Sequence, residues 1–178
     1  MRKAIYLFIF LFLLVACTDL VKDTKIEKDT NIFISKTHGE VAIFPTFKYL
    51  GVVDLTDYKA HRKYFIWENN YENKYIVITQ IIVKADKFPP NIQWINPNGA
   101  IFARGMRGAY TSIANRPRLA LEKVGGVLPD CFILASEAHV KEREALIISL
   151  IVPDKMCSEN YEPVMEELKR VAIINPLG

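Results

Sequence analysis

Tyr75-Ile76-Val77-Ile78-Thr79-Gln80-Ile81-Ile82-Val83 is the stretch that decides the fold. Its β-branched and aromatic residues favour a strand. A strand with one wet face alternates apolar and polar residues, but here apolar groups occupy both parities. The run is therefore expected to be a central strand, covered on both faces for part of its length.

Working outward, Lys63 to Glu68 is similarly dense in aromatic and β-branched residues. Asn69-Asn70-Tyr71-Glu72-Asn73 between the two runs is turn material, so they form a hairpin. Upstream, Ile32-Phe33-Ile34 and Val41-Ala42-Ile43-Phe44 are short strands separated by a turn at Thr37-His38-Gly39. Pro45 marks the second of them as an edge or interrupted strand. Downstream, Phe132, Leu134, Ala138 and Val140 share one parity, and Leu146 to Val152 supplies the return arm of a second hairpin. Its turn falls near Lys141 to Glu144.

Lys87 to Leu121 is irregular, and a short helix is expected from about Pro117 to Val124, with Gly125 as its stop. Val164, Leu168 and Val171 recur at helical spacing, which predicts a final helix from about Tyr161 to Ile173. Strands in runs followed by a helix give an α+β fold: a mainly antiparallel β-sheet built from hairpins, with a C-terminal amphipathic helix packed on it.

The chain starts Met1-Arg2-Lys3 and then carries no charge from Ala4 to Ala16. A membrane-spanning helix needs roughly 20 apolar residues. This run is shorter and gives way to polar sequence, as an export signal does. It ends in Leu14-Val15-Ala16-Cys17, which resembles the lipobox of bacterial lipoproteins. The resemblance covers Met1 to about Thr18. It implies that diacylglycerol is attached to Cys17 by a thioether and that a type II signal peptidase cuts in front of it. Two or more acyl chains give stable anchoring where one is marginal. In the family an Asp after the cysteine favours retention in the inner membrane, so Thr18 implies the outer membrane, facing the periplasm, if the cell is Gram-negative.

This organisation predicts a signal peptide over 1–16, a lipidated Cys17 with a flexible tether over 17–30, and a single α+β domain over 31–178. The tether is expected because Thr18 to Thr30 is rich in mixed charge and poor in large apolar groups. Removing residues 1–16 takes away Arg2 and Lys3, two of the 23 basic residues that stand against 20 acidic ones. The mature chain is close to neutral and gives no reason to expect nucleic-acid binding. Cys131 and Cys157 then remain, flanking the second hairpin at its open end. In an oxidising envelope they are either a disulfide, contributing about 3 kcal/mol in the chain-entropy model, or reduced and buried thiols. Two cysteines without neighbouring histidines make a poor zinc site, and no metal or other cofactor is expected.

Chemistry-bearing residues are few. Lys87 to Leu121 holds no acid, and within it Ala103-Arg104-Gly105-Met106-Arg107-Gly108 sets two guanidinium groups beside glycines. Arg104 and Arg107 are candidate anion-binding residues on a loop, against the plainer reading of a solvated loop whose arginines pair with acids elsewhere. Glu137 and His139 share a strand face; the opposite parity carries the apolar residues, so theirs is expected to be the wet face. His61 follows Asp57 closely with Asp54 nearby, a grouping that suits proton transfer but is also ordinary at the entry to a strand. His38 is expected to be a turn residue. Ser136 and Ser149 lie in no Gly-x-Ser-x-Gly elbow. Trp67, Trp94 and the many Phe and Tyr residues are read as core or rim aromatics.

These features favour a membrane-anchored, non-enzymatic binding module. Its expected partners are the membrane, through the lipid on Cys17, and an envelope protein or anionic envelope component. The alternative is a lipid-tethered enzyme or small-ligand carrier with a pocket near His61, Asp57 and Arg104.

Overall fold

The computed structural model describes residues 24–27, 31–84, 100–107, 115–128, 132–141, 143–153 and 162–175. In chain order these form strands β1 (Thr24–Glu27), β2 (Ile32–Ser35), β3 (Gly39–Ile43), β4 (Lys48–Asp54), β5 (Ala60–Asn69), β6 (Lys74–Val83) and β7 (Ala100–Arg107). Helix α1 (Asn115–Lys123) follows, then β8 (Phe132–Lys141), β9 (Glu144–Pro153), helix α2 (Glu162–Val171) and β10 (Ala172–Asn175).

The strands make a four-stranded sheet, in the order β1-β2-β3-β10, and a six-stranded sheet, in the order β4-β5-β6-β9-β8-β7. Neighbouring strands are antiparallel throughout. The larger sheet is two three-stranded meanders joined where β6 pairs with β9. The α+β class and the antiparallel sheet are as expected. No helix among the described residues is long and apolar enough to cross a membrane.

β6 is central, and its double-sided apolar pattern has a direct cause. Ile76 and Ile78 join one core with Phe33, Val41 and Ile43 of the smaller sheet and with Val164 and Leu168 of α2. Tyr75 and Val77 join a second core on the opposite face, under Ala120 and Leu121 of α1. The larger sheet is thus sandwiched, and each full burial of a large apolar side chain contributes about 1.5–3 kcal/mol. α1 ends as its sequence dictates: Gly125 takes φ 83°, and Gly126 N donates to the Leu121 carbonyl at 2.9 Å.

Several expectations need correction. Thr24–Glu27, inside the segment read as a tether, pairs with Ile32–Ser35, so the sheet starts before Asn31. The backbone of β2 recruits it despite its polar side chains. β3 is not an edge strand, because it pairs with both β2 and β10 and Pro45 lies beyond its end. The final helix stops at Val171, and Ala172–Asn175 turn instead into β10 against β3. Residues 104–107, read as a loop, belong to β7, with a bulge between Ala103 and Met106. These residues therefore form a bulged edge strand and not a free loop.

Candidate functional site

The residues singled out from the sequence around His38, Asp57, His61, Glu137 and His139 lie at one end of the larger sheet, where β4, β6 and β8 finish and β5, β7 and β9 start. Two clusters lie there, one on each face.

The first surrounds Asp57. Its Oδ1 accepts the backbone N–H of Lys59 at 2.8 Å and of Ala60 at 3.0 Å, closing the turn that leads into β5. Its Oδ2 accepts Arg62 Nη1 at 2.5 Å and Arg116 Nη2 at 2.7 Å. The amide of Lys59 first, then that of Ala60 and the two guanidinium groups, hold this carboxyl well below the usual carboxylate range against the opposing cost of partial burial. Tyr64, almost fully buried behind it, has its phenol pushed up by that burial. One carboxylate thus ties the β4–β5 turn to the first turn of α1.

The second cluster occupies the inter-sheet face. β5 alternates, so Phe65 and Trp67 enter the inter-sheet core while His61 and Lys63 extend the same face towards this end. His61, Lys63, Gln80 and Ile82 line a small cleft. Gln80 donates to Glu144 Oε1 at 2.7 Å, and His139 Nε2 lies 2.8 Å from Glu137 Oε1. The β2–β3 turn closes over them: Lys141 Nζ reaches the Thr37 carbonyl at 3.4 Å, and Ser35 Oγ accepts the amides of Thr37 and His38. His38 sits in that turn, as expected. Burial lowers its imidazole pKa, Glu144 opposes the shift, and His139 and Lys141 add to it. Its Nε2 has no hydrogen-bond partner among the described residues.

The expected wet face of Glu137 and His139 is therefore corrected. Ile133 and Ala135, of the same parity, are buried in the inter-sheet core, because β8 is covered on both faces. The grouping of His61 with Asp57 is corrected too. Arg62, which holds Asp57, points to the α1 face, and its neighbour His61 points to the other. Arg104 lies at the bulge of β7 and Arg107 at its end, at the backbone level. Cys17, Cys131, Cys157 and Trp94 lie outside the described residues. Ser136 and Ser149 form a buried pair, 2.7 Å apart across β8 and β9.

A separate open groove of about 820 Å³ follows edge strand β4 from Lys48 to Val52 and is closed by Asn31, Pro45 and Phe47. Tyr49 in its lining meets Trp67 at a tilt, 5.1 Å between centroids, and burial pushes the Tyr49 phenol up to about 12. This groove collects none of the residues singled out from the sequence as ligands or catalysts.

Sequence reasoning missed the partnership of Asp57 with Arg116, which spans 59 residues. The local signal was present only for the turn, in Asp57-Tyr58-Lys59-Ala60. It also missed that Lys36, Lys59, Lys84 and the Lys141–Arg143 pair meet at one end of the fold, since they come from four separate turns and strand ends. No family model, curated protein or solved structure matches the chain.

Proposed function

We propose that the protein is a membrane-anchored bacterial envelope lipoprotein that acts as a non-enzymatic binding module for an envelope protein or an anionic envelope component. The observation that carries this reading is Leu14-Val15-Ala16-Cys17, a complete lipobox behind a charged start and an apolar run. In this reading Cys17 bears diacylglycerol, residues 1–16 are removed, and the domain faces the periplasm from the outer membrane where two membranes exist. The amphipathic face of α2, with Val164 and Leu168, closes the core of the anchored domain. Arg104 and Arg107, on an edge strand, remain candidate contacts for an anionic partner.

The separation of His61 from Asp57 on opposite faces of the sheet favours this reading over an enzyme or small-ligand carrier built on those residues. The test is metabolic labelling. Cys17→Ala is expected to abolish incorporation of labelled palmitate and to leave an uncleaved precursor. Normal processing of that variant would mean an ordinary signal peptide.

A further inference from the structure

We infer that the end of the domain carrying Lys36, Tyr58, Lys59, Lys84 and Lys141 is its membrane-facing surface and rests on anionic lipid headgroups. The inference deepens the lipoprotein reading and rests on it.

The chain enters the fold at this end. Thr24 pairs with Ser35, the residue before the β2–β3 turn, and that turn lies against Lys141 at the polar end of the larger sheet. β1 therefore starts at this end, and only residues 18–23 separate its first residue from Cys17. A peptide spans at most about 3.6 Å per residue, so Thr24 lies within about 25 Å of a lipidated Cys17 whatever path those residues take. The opposite end, marked by the Asn70–Asn73 turn, is separated from β1's start by the length of the strands. A ten-residue strand such as β5 extends about 33 Å.

The same end is also cationic. Lys36, Lys59, Lys84 and Lys141 are exposed at this end. Beside them Asp57 is paired with Arg62 and Arg116, whereas Glu137 and Glu144, hydrogen-bonded to His139 and Gln80, keep their charge; with Arg62, Arg116 and Arg143 the described cations at this end still outnumber the described acids. Glu40 and Asp54 are the remaining described acids there. At the other end charges alternate in sign, as in Lys74 between Glu72 and Glu167 and in the Glu166–Lys169 pair. A cluster of cations on one end attracts an anionic surface within a Debye length, about 8 Å at physiological salt.

Tyr58 is 81% exposed in the turn after β4, with Lys59 Nζ 5.3 Å from its ring centroid. A tyrosine flanked by lysines suits the headgroup region, where the ring and hydroxyl are both accommodated. Tyr71 at the opposite end is 99% exposed as well, so it is the lysines around Tyr58 that distinguish this end.

Hydrogen exchange on the full chain tests the inference. The protein is expressed in cells, purified in detergent and reconstituted into phosphatidylcholine vesicles with or without about one-third phosphatidylglycerol. Intact mass first establishes whether Cys17 carries lipid. Amides of residues 36–38, 57–60 and 141 are expected to exchange several-fold more slowly in the phosphatidylglycerol vesicles, with residues 70–73 unchanged. Raising salt from about 0.1 M to about 1 M, which shortens the Debye length from about 10 to about 3 Å, should remove the difference. Lys36→Glu with Lys59→Glu should remove it at low salt.

Equal exchange in the two vesicles, or protection at residues 70–73 instead, overturns the membrane-facing assignment. The two readings fail separately. A lipidated chain without phosphatidylglycerol-dependent protection keeps the anchor and loses the surface. An unlipidated chain that is still protected on phosphatidylglycerol loses the anchor and keeps the surface.

Discussion

Arg116 Nη2 lies 2.7 Å from Asp57 Oδ2, and this contact fixes the first turn of α1 to the turn between β4 and β5. Asp57 also holds Arg62, so removing its charge leaves two guanidinium groups facing each other without a counter-charge. Asp57→Asn is expected to speed amide exchange in α1 and in residues 57–60 while leaving β6 and β9 unaffected. The sign of the pH effect follows from the lowered carboxyl pKa. The stabilisation is fully present above the ordinary carboxylate range and is lost as pH falls through it towards the folded value. Wild-type stability should thus fall more steeply than that of Asp57→Asn between about pH 5 and pH 2, as read from denaturant midpoints. Parallel pH profiles would show that Asp57 is not the clasp.

Ser136 and Ser149 satisfy each other across β8 and β9, both nearly buried. Either alanine variant alone strands the remaining hydroxyl, at a cost of about 1–3 kcal/mol. The double variant removes both polar groups and should cost clearly less than the sum of the two singles, with a coupling of about 1 kcal/mol by urea unfolding. Strict additivity would mean that each hydroxyl has another partner.

His38 makes a prediction near neutral pH. Burial lowers its pKa below 6.5, so its neutral form is the one the fold accepts. The corresponding stability is intact above pH 6.5 and is lost as pH falls from there towards the lower folded value. Glu144, His139 and Lys141 face it, and Glu137 pairs with His139, so the His38 contribution is isolated by comparison with His38→Gln. That variant should show a flatter fall in stability between about pH 7 and pH 5. An unchanged slope would show that His38 does not carry this pH dependence.

How much of the fold is readable from the sequence depends on where each strand sits. β2, β3, β5, β6, β8 and β9 announce themselves because each buries apolar residues of its own, and the turns between β5 and β6 and between β8 and β9 are short and polar. The strands that escape are β1, β4, β7 and β10, and these are the four edges of the two sheets. An edge strand needs one paired side and little burial. In β4 only Val53 is buried, and β1 has no buried residue. Ile173 and Ile174 suit a helix stripe as well as a strand, and only pairing with Val41 and Ala42 decides between them.

The polar end was hidden for a related reason. Its members come from separate turns and strand ends, and only the antiparallel register brings them together. Local sequence shows a strand entry near Asp57 and the turn position of His38, while the Asp57 bonds to Lys59 and Ala60 are seen only in the fold. It does not show that Glu137 and His139 face the smaller sheet: Phe132, Leu134, Ala138 and Val140 suggest one apolar face, but Ile133 and Ala135 of the other parity are buried too, so the strand is covered on both faces.

The central claim concerns Cys17 and is tested most directly by the mass of the N-terminal peptide of the protein purified from cells that export it. The expected chain starts at Cys17 and carries a thioether-linked diacylglycerol. A chain that starts at another residue, or an unmodified Cys17 thiol, would contradict it.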